Sequence, residues 1–119
     1  LSQCMLELGG KSAMVVFDDA DLDKAVVTTM KGFLTNGGQI CTAHTRLVLQ
    51  ETIKEKFLSS LKAELEKIPF SKDPITEKDR GDRAWEDGTT DAIQPVVCES
   101  QRTKILDALT KAKADGVEV

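Results

Sequence analysis

The sequence predicts an α/β fold with a largely parallel sheet flanked by helices. Short apolar runs of strand length alternate with amphipathic stretches of helix length, the pattern that pairs strands through helical crossovers. Capping and breaking residues stand at each change of pattern: aspartates before one helix, Asn36-Gly37-Gly38 after it, Pro69 after the next and Gly116 after the last.

The elements follow in chain order. Residues 1–12 read as a strand and turn that end in Gly9-Gly10-Lys11-Ser12. Ala13-Met14-Val15-Val16-Phe17 is an unbroken apolar run, as expected for a strand buried on both faces. Asp18, Asp19, Asp21 and Asp23 then place negative charge where a helix N-terminus favours it. Leu22, Ala25, Val26, Met30, Phe33 and Leu34 recur at three- and four-residue spacings and form one apolar helical face. Asn36-Gly37-Gly38 ends that helix, because asparagine and glycine accept left-handed backbone angles. Thr45-Arg46-Leu47-Val48-Leu49 is a second strand. From Glu51 to about Ile68, the positions Ile53, Phe57, Leu61, Leu65 and Ile68 mark a second amphipathic helix, stopped by Pro69. A last helix is expected from Glu99 to Asp115, with Ile105, Leu109 and Ala112 turned inward. Residues 71–94 differ from the rest: they are polar and aperiodic, and Trp85 is their largest apolar anchor. A loop of that length is uncommon in a compact domain and reads as an insertion on the surface.

Bulk properties narrow the function. A chain of 119 residues makes one modest domain, too short for a cofactor domain joined to a catalytic one. The start at Leu1-Ser2-Gln3-Cys4 and the stop at Val117-Glu118-Val119 both read as cuts through a longer protein. Hydrophobic residues make up 40% and charged residues 30%, with a formal net charge of −4 and the signs interspersed. No basic stripe points to nucleic acid, and no apolar run reaches the roughly 20 residues that cross a bilayer. The three cysteines match neither a metal-ligand pattern nor a disulfide framework, which favours a reducing intracellular compartment and no bound metal.

Two segments carry chemistry. Cys41 lies in Asn36-Gly37-Gly38-Gln39-Ile40-Cys41-Thr42, a cysteine in a glycine-loosened turn delivered by a helix. Glu7 lies upstream in Leu6-Glu7-Leu8-Gly9-Gly10-Lys11-Ser12, where the paired glycines let the chain bend toward the cysteine. A free thiol has a pKa of about 8.5, so only about 3% is thiolate at pH 7 and a nucleophilic cysteine needs a base or a lowered pKa. A carboxylate poised near neutrality can deprotonate the water that opens a thioester. His44 forms Cys-x-x-His with Cys41, the pairing expected of a cysteine acyl transferase. The aspartates from Asp18 to Asp23 need no metal to account for them, since helix capping suffices. Cys4 and Cys98 read as small buried hydrophobes.

In this order, the Glu7 and Cys41 segments resemble the two signature motifs of the NAD(P)-dependent aldehyde dehydrogenases. Gly10-Lys11-Ser12, Val15-Val16-Phe17-Asp18-Asp19-Ala20-Asp21-Leu22-Asp23-Lys24-Ala25 and Gly38-Gln39-Ile40-Cys41 are similar to the plant-type betaine and aminoaldehyde dehydrogenases. The resemblance implies that residues 1–119 are part of the catalytic domain of that fold. It also implies that Cys41 is the nucleophile, that its backbone N–H is half of an oxyanion hole and that Glu7 is the general base. Leu8 would lie beside the nicotinamide of NAD or NADP, whose main binding segment falls outside this chain, and Ile40 would line the pocket for a small aldehyde. By the same resemblance, the parent enzyme is a homodimer or homotetramer. The family's connection before Pro95 is shorter and ends in Gly-Pro, so residues 71–94 are either a lineage insertion or retained intron sequence. The expected function is oxidation of an aldehyde to its acid through a cysteine thioester. The alternative is an inactive truncated product with a binding or structural role.

Overall fold

The computed structural model describes residues 3–70 and 93–118. Strand β1 (Ser12–Val16) leads through a short turn into helix α1 (Leu22–Leu34), a tight 3-10 turn (Thr35–Gly38) and strand β2 (His44–Leu49). A single 3-10 turn (Glu51–Ile53) opens into helix α2 (Lys54–Leu65), and helix α3 (Glu99–Ala114) closes the described chain. β1 and β2 pair in parallel, with α1 as the crossover between them. The α/β expectation and the parallel sheet therefore hold.

Local chemistry sets the boundaries of α1. Asp21 is its N-cap: the carboxylate accepts from the Lys24 backbone N–H at 3.2 Å and is paired with the Lys24 ammonium at 2.7 Å. That side-chain bond from Lys24 holds the Asp21 carboxyl below its usual range. Asp18 has a different role, accepting from Gln50 Nε2 at 2.6 Å and from Thr52 Oγ1 at 3.2 Å, so it ties the end of β1 to the end of β2. At the other end of α1, Asn36, Gly37 and Gly38 have φ of 54°, 63° and 77°. These left-handed angles turn the chain out of the helix, as the sequence predicted.

A register shift interrupts the ladder. Ser12 pairs with His44, but Ala13 pairs with Arg46, leaving Thr45 as an extra residue. The bulge allows His44, Leu47 and Leu49 to share one face although their spacing is irregular. That face packs on the helices. Val16, Ala25, Val26, Ile53, Phe57 and Leu61 form the core, with Met14, Leu47 and Leu49 against it.

The opposite face corrects one expectation. β1 is not buried on both sides: Val15 and its registered partner Val48 are each 51% exposed, and Phe17 is exposed beyond them. Both packed helices, α1 and α2, lie on the same side, and among the described residues nothing covers the other. Two further expectations change for similar reasons. α2 closes at Leu65 rather than Ile68, where Lys67 and Ile68 donate to Glu64 and Leu65 and tighten the last turn. α3 covers the expected residues and ends at Gly116 with the Val117 N–H on the Ala112 carbonyl. However, Ile105 and Leu109 are exposed rather than turned into a core, because no described element packs over them. The polar segment 71–92, with Trp85, lies outside the described residues, whereas Ile93 bridges back to Phe70.

So small a core makes its central ring decisive. Phe57 is fully buried, and Phe57→Ala is expected to cost about 3–5 kcal/mol. That approaches the entire stability of a small domain, so the helical circular-dichroism signal should collapse at 25 °C. Leu58→Ala, on the exposed side of the same helix, should leave the thermal melt nearly unchanged.

Candidate functional site

A parallel pair puts the starts of both strands at one end of the sheet. The chain before β1 carries Glu7, and the chain before β2 carries Cys41. The two segments touch there. A Cβ added to Gly10 would stand 3.1 Å from the Cys41 carbonyl oxygen, so the backbones pass with room for a hydrogen and little more. Glu7 stands three positions before Gly10, about 10 Å of chain at full extension. Glu7 and Leu8 are both exposed on that segment, which runs without a strand partner until β1 begins at Ser12.

Arg46 fixes the same segment from the other side. At the bulge the backbone ladder slips, and the Arg46 guanidinium takes up the Lys11 carbonyl, through Nε at 3.0 Å and Nη2 at 2.6 Å. Thr45 Oγ1 adds a longer bond to the Ser12 carbonyl at 3.4 Å. The register between the two chemistry-bearing segments is thus held by side chains where the main chain gives way.

Cys41 sits in a turn closed by the Ala43 N–H on the Ile40 carbonyl at 3.1 Å, with Ala43 itself buried. The buried alanine anchors the turn and leaves the Cys41 thiol free and exposed. Ile40, immediately before it, is partly exposed beside the thiol. His44, three residues on, turns the other way. Its imidazole lies against Gly32 of α1, so closely that a Cβ there would collide with the ring, and its Nδ1 is buried without a hydrogen-bond partner. Glycine in mid-helix costs about 1 kcal/mol relative to alanine, and seating the imidazole requires it here. This geometry gives no support to a Cys41–His44 catalytic pair.

Two expectations about the other cysteines are corrected. Cys4 and Cys98 are exposed, not buried. Cys4 belongs to the unpaired segment before β1, and Cys98 is the N-cap of α3, which no core covers. A hydrogen bond with Ser100 at 3.1 Å, helped by the Gln101 backbone N–H, holds the Cys98 thiol below the ordinary thiol range. No group of three or more histidine, cysteine or carboxylate side chains could hold a metal among the described residues.

Sequence reasoning passed over Gln39. Its side chain donates to the Asn36 carbonyl at 2.9 Å and the Pro95 carbonyl at 3.3 Å, and accepts from the Val97 N–H at 2.7 Å. Its neighbours in the Gly38-Gln39-Ile40-Cys41 motif were legible, but a bond across more than fifty residues leaves no local pattern.

The described residues fit a dinucleotide poorly. A pyrophosphate favours a helix N-terminus free of negative charge. α1 begins with Asp21 and Asp23, α2 follows Glu51 and carries Glu55, and α3 carries Glu99 in its first turn.

The chain is similar to known proteins along its whole length. The profile of the aldehyde dehydrogenase family matches residues 1–119. A betaine aldehyde dehydrogenase of Rhizobium johnstonii is 40% identical over 116 residues, covering 98% of this chain and 21% of that protein. The peroxisomal aminoaldehyde dehydrogenase 2 of Pisum sativum is 40% identical over 114 residues, 96% of this chain and 20% of that one. A crystal structure of the Staphylococcus aureus betaine aldehyde dehydrogenase in complex with NAD+ superposes with a TM-score of 0.72 at 33% identity, over 92% of this chain and 19% of that chain. The chain spans about a fifth of the length of these relatives.

The Cys98 environment makes a pH-dependent prediction. With Ser100 in place, alkylation of Cys98 by iodoacetamide should reach half its maximal rate at a lower pH than in Ser100→Ala, where the thiol loses the hydrogen bond that stabilises its thiolate. Identical pH profiles would show that Ser100 has no such effect.

Proposed function

The chain belongs to the aldehyde dehydrogenase family, and from that premise we propose that it forms the nucleophile- and base-bearing part of an enzyme oxidising an aldehyde to its carboxylic acid. The observation that carries this reading is the approach of Gly10 to the Cys41 carbonyl, which brings the Glu7 segment to the turn that presents the thiol.

Cys41 adds its sulfur to the aldehyde carbon, and the backbone N–H of Cys41 stabilises the oxyanion that results. NAD or NADP would supply the oxidant that takes up the hydride, and among the described residues Leu8 would lie beside it. Loss of hydride leaves an acyl group on Cys41. Glu7 then takes a proton from the water that attacks this thioester, and its exposed position lets solvent reach it. Ile40, beside the thiol, lines the aldehyde side of the site, where its branched bulk disfavours a trimethylammonium group relative to a slimmer amine. The relatives named for betaine aldehyde and aminoaldehydes support a nitrogen-bearing aldehyde as the substrate class, and the aminoaldehyde names fit the slimmer end of it. The parent assembles as a homodimer or homotetramer.

A second reading has an observation in its favour. The carboxylates at the start of every described helix leave little to grip a dinucleotide, so the 119-residue chain alone is expected to lack turnover. In that form it is an inactive product with a binding or structural role.

In the whole enzyme, Cys41→Ser should abolish aldehyde-dependent reduction of the cofactor. Glu7→Gln should slow steady-state turnover about a hundredfold or more while a single turnover of hydride transfer persists, and mass spectrometry should then find an acyl group on Cys41. A Cys41→Ser enzyme with full turnover would exclude the mechanism, and a Glu7→Gln enzyme that deacylates normally would remove Glu7 from it.

A further inference from the structure

We propose that Gln39 is a positioning residue for Cys41, clamping the turn that carries the thiol onto the strap formed by residues 94–97. The inference rests on the reading of Cys41 as nucleophile, but the contact that defines it can be measured without catalysis.

The side-chain amide of Gln39 is fully used. Its two N–H groups serve the Asn36 carbonyl at 2.9 Å and the Pro95 carbonyl at 3.3 Å, and its oxygen accepts from the Val97 N–H at 2.7 Å. Reversing the amide would set a donor against the Val97 donor and an acceptor against two carbonyls, so one orientation is selected. The backbone of Gln39 is held as well, donating to Asn36 at 3.2 Å and accepting from Asn36 Nδ2 at 3.1 Å. The strap is close enough to exclude a side chain: a Cβ at Gly37 would come within 2.9 Å of the Gln94 carbonyl.

What this fixes is the next turn of chain. Ile40 follows Gln39 directly, and its carbonyl closes the Ile40–Ala43 turn around Cys41. Two anchors therefore bracket the thiol, Gln39 on one side and buried Ala43 on the other. The Ala43 anchor is a single small side chain. The Gln39 anchor reaches the distant strap, so the direction in which the Cys41 N–H and sulfur point depends on where residues 94–97 lie.

The test uses the 119-residue chain with Cys4 and Cys98 replaced by serine. Val97 lies outside any helix or strand, and its N–H is bonded to Gln39, so its exchange with solvent reports the clamp directly. In the parent sequence the Val97 amide should exchange about five- to tenfold more slowly than an unstructured peptide. Exchange at the peptide rate would overturn the proposal without any variant being made. Gln39→Met keeps the length and removes the three side-chain hydrogen bonds, leaving the two backbone bonds to Asn36 in place. In it, the Val97 and Ala43 amides should both lose protection while those of α1 and α2 keep theirs. Alkylation of Cys41 by iodoacetamide should move toward the rate of a free peptide of residues 34–45. If Val97 loses protection but Ala43 and the alkylation rate are unchanged, Gln39 tethers the strap without positioning the thiol, and the proposal fails. Should Val97 prove protected while a Cys41→Ser whole enzyme keeps its turnover, the clamp stands and the reading of Cys41 as nucleophile fails instead.

Discussion

The site depends on a parallel pairing of two strands whose leading segments meet at one end. Parallel geometry alone brings the chain before β1 and the chain before β2 to the same edge of the sheet. Helix α1 provides the return journey, and its length and caps decide where the chain re-enters. Asp21 starts the helix, and the left-handed Asn36-Gly37-Gly38 ends it, so β2 begins beside the start of β1 rather than elsewhere along it. The absence of a side chain at Gly10 then permits the last approach, backbone against the Cys41 carbonyl. A Cβ there would make the two segments part by a few tenths of an ångström.

Side chains complete what the main chain leaves open. The bulge at Thr45 breaks the ladder where the site is built, and Arg46 restores the connection through two bonds to one carbonyl. Gln39 does comparable work on the far side of the turn. Bulges that redirect a strand beside a functional site are a common device, because an extra residue re-aims the chain without altering the rest of the sheet. Here the bulge also turns His44 toward α1 and away from pairing with the thiol, which makes Cys-x-x-His a packing feature in this fold.

Much of this was legible from residues alone. The strand at Ser12–Val16, the helix at Leu22–Leu34 and the left-handed exit follow from apolar spacing and from residues whose backbone preferences are local. The pairing of Glu7 and Cys41 motifs pointed to the family that the whole chain matches. What the sequence concealed is long-range or depends on a missing neighbour. An apolar run such as Ala13–Phe17 shows that a strand can be buried on two faces, not that two layers are present to bury it. The same holds for Ile105 and Leu109, whose helical spacing is correct and whose packing partner is absent among the described residues. A monomeric domain seldom leaves contiguous apolar faces of this kind bare, and the chain spans about a fifth of the length of the relatives it matches.

Whether the carboxylate and the thiol share one site can be measured by linking them. A chain with Cys4 and Cys98 changed to serine and with Glu7→Cys would be treated with a short bifunctional thiol reagent, natively and in concentrated urea. A single intramolecular bridge between positions 7 and 41, formed in the native chain and lost in urea, is the predicted result. Separate capping of the two sulfurs under native conditions, with no bridge, would place them apart and contradict the account.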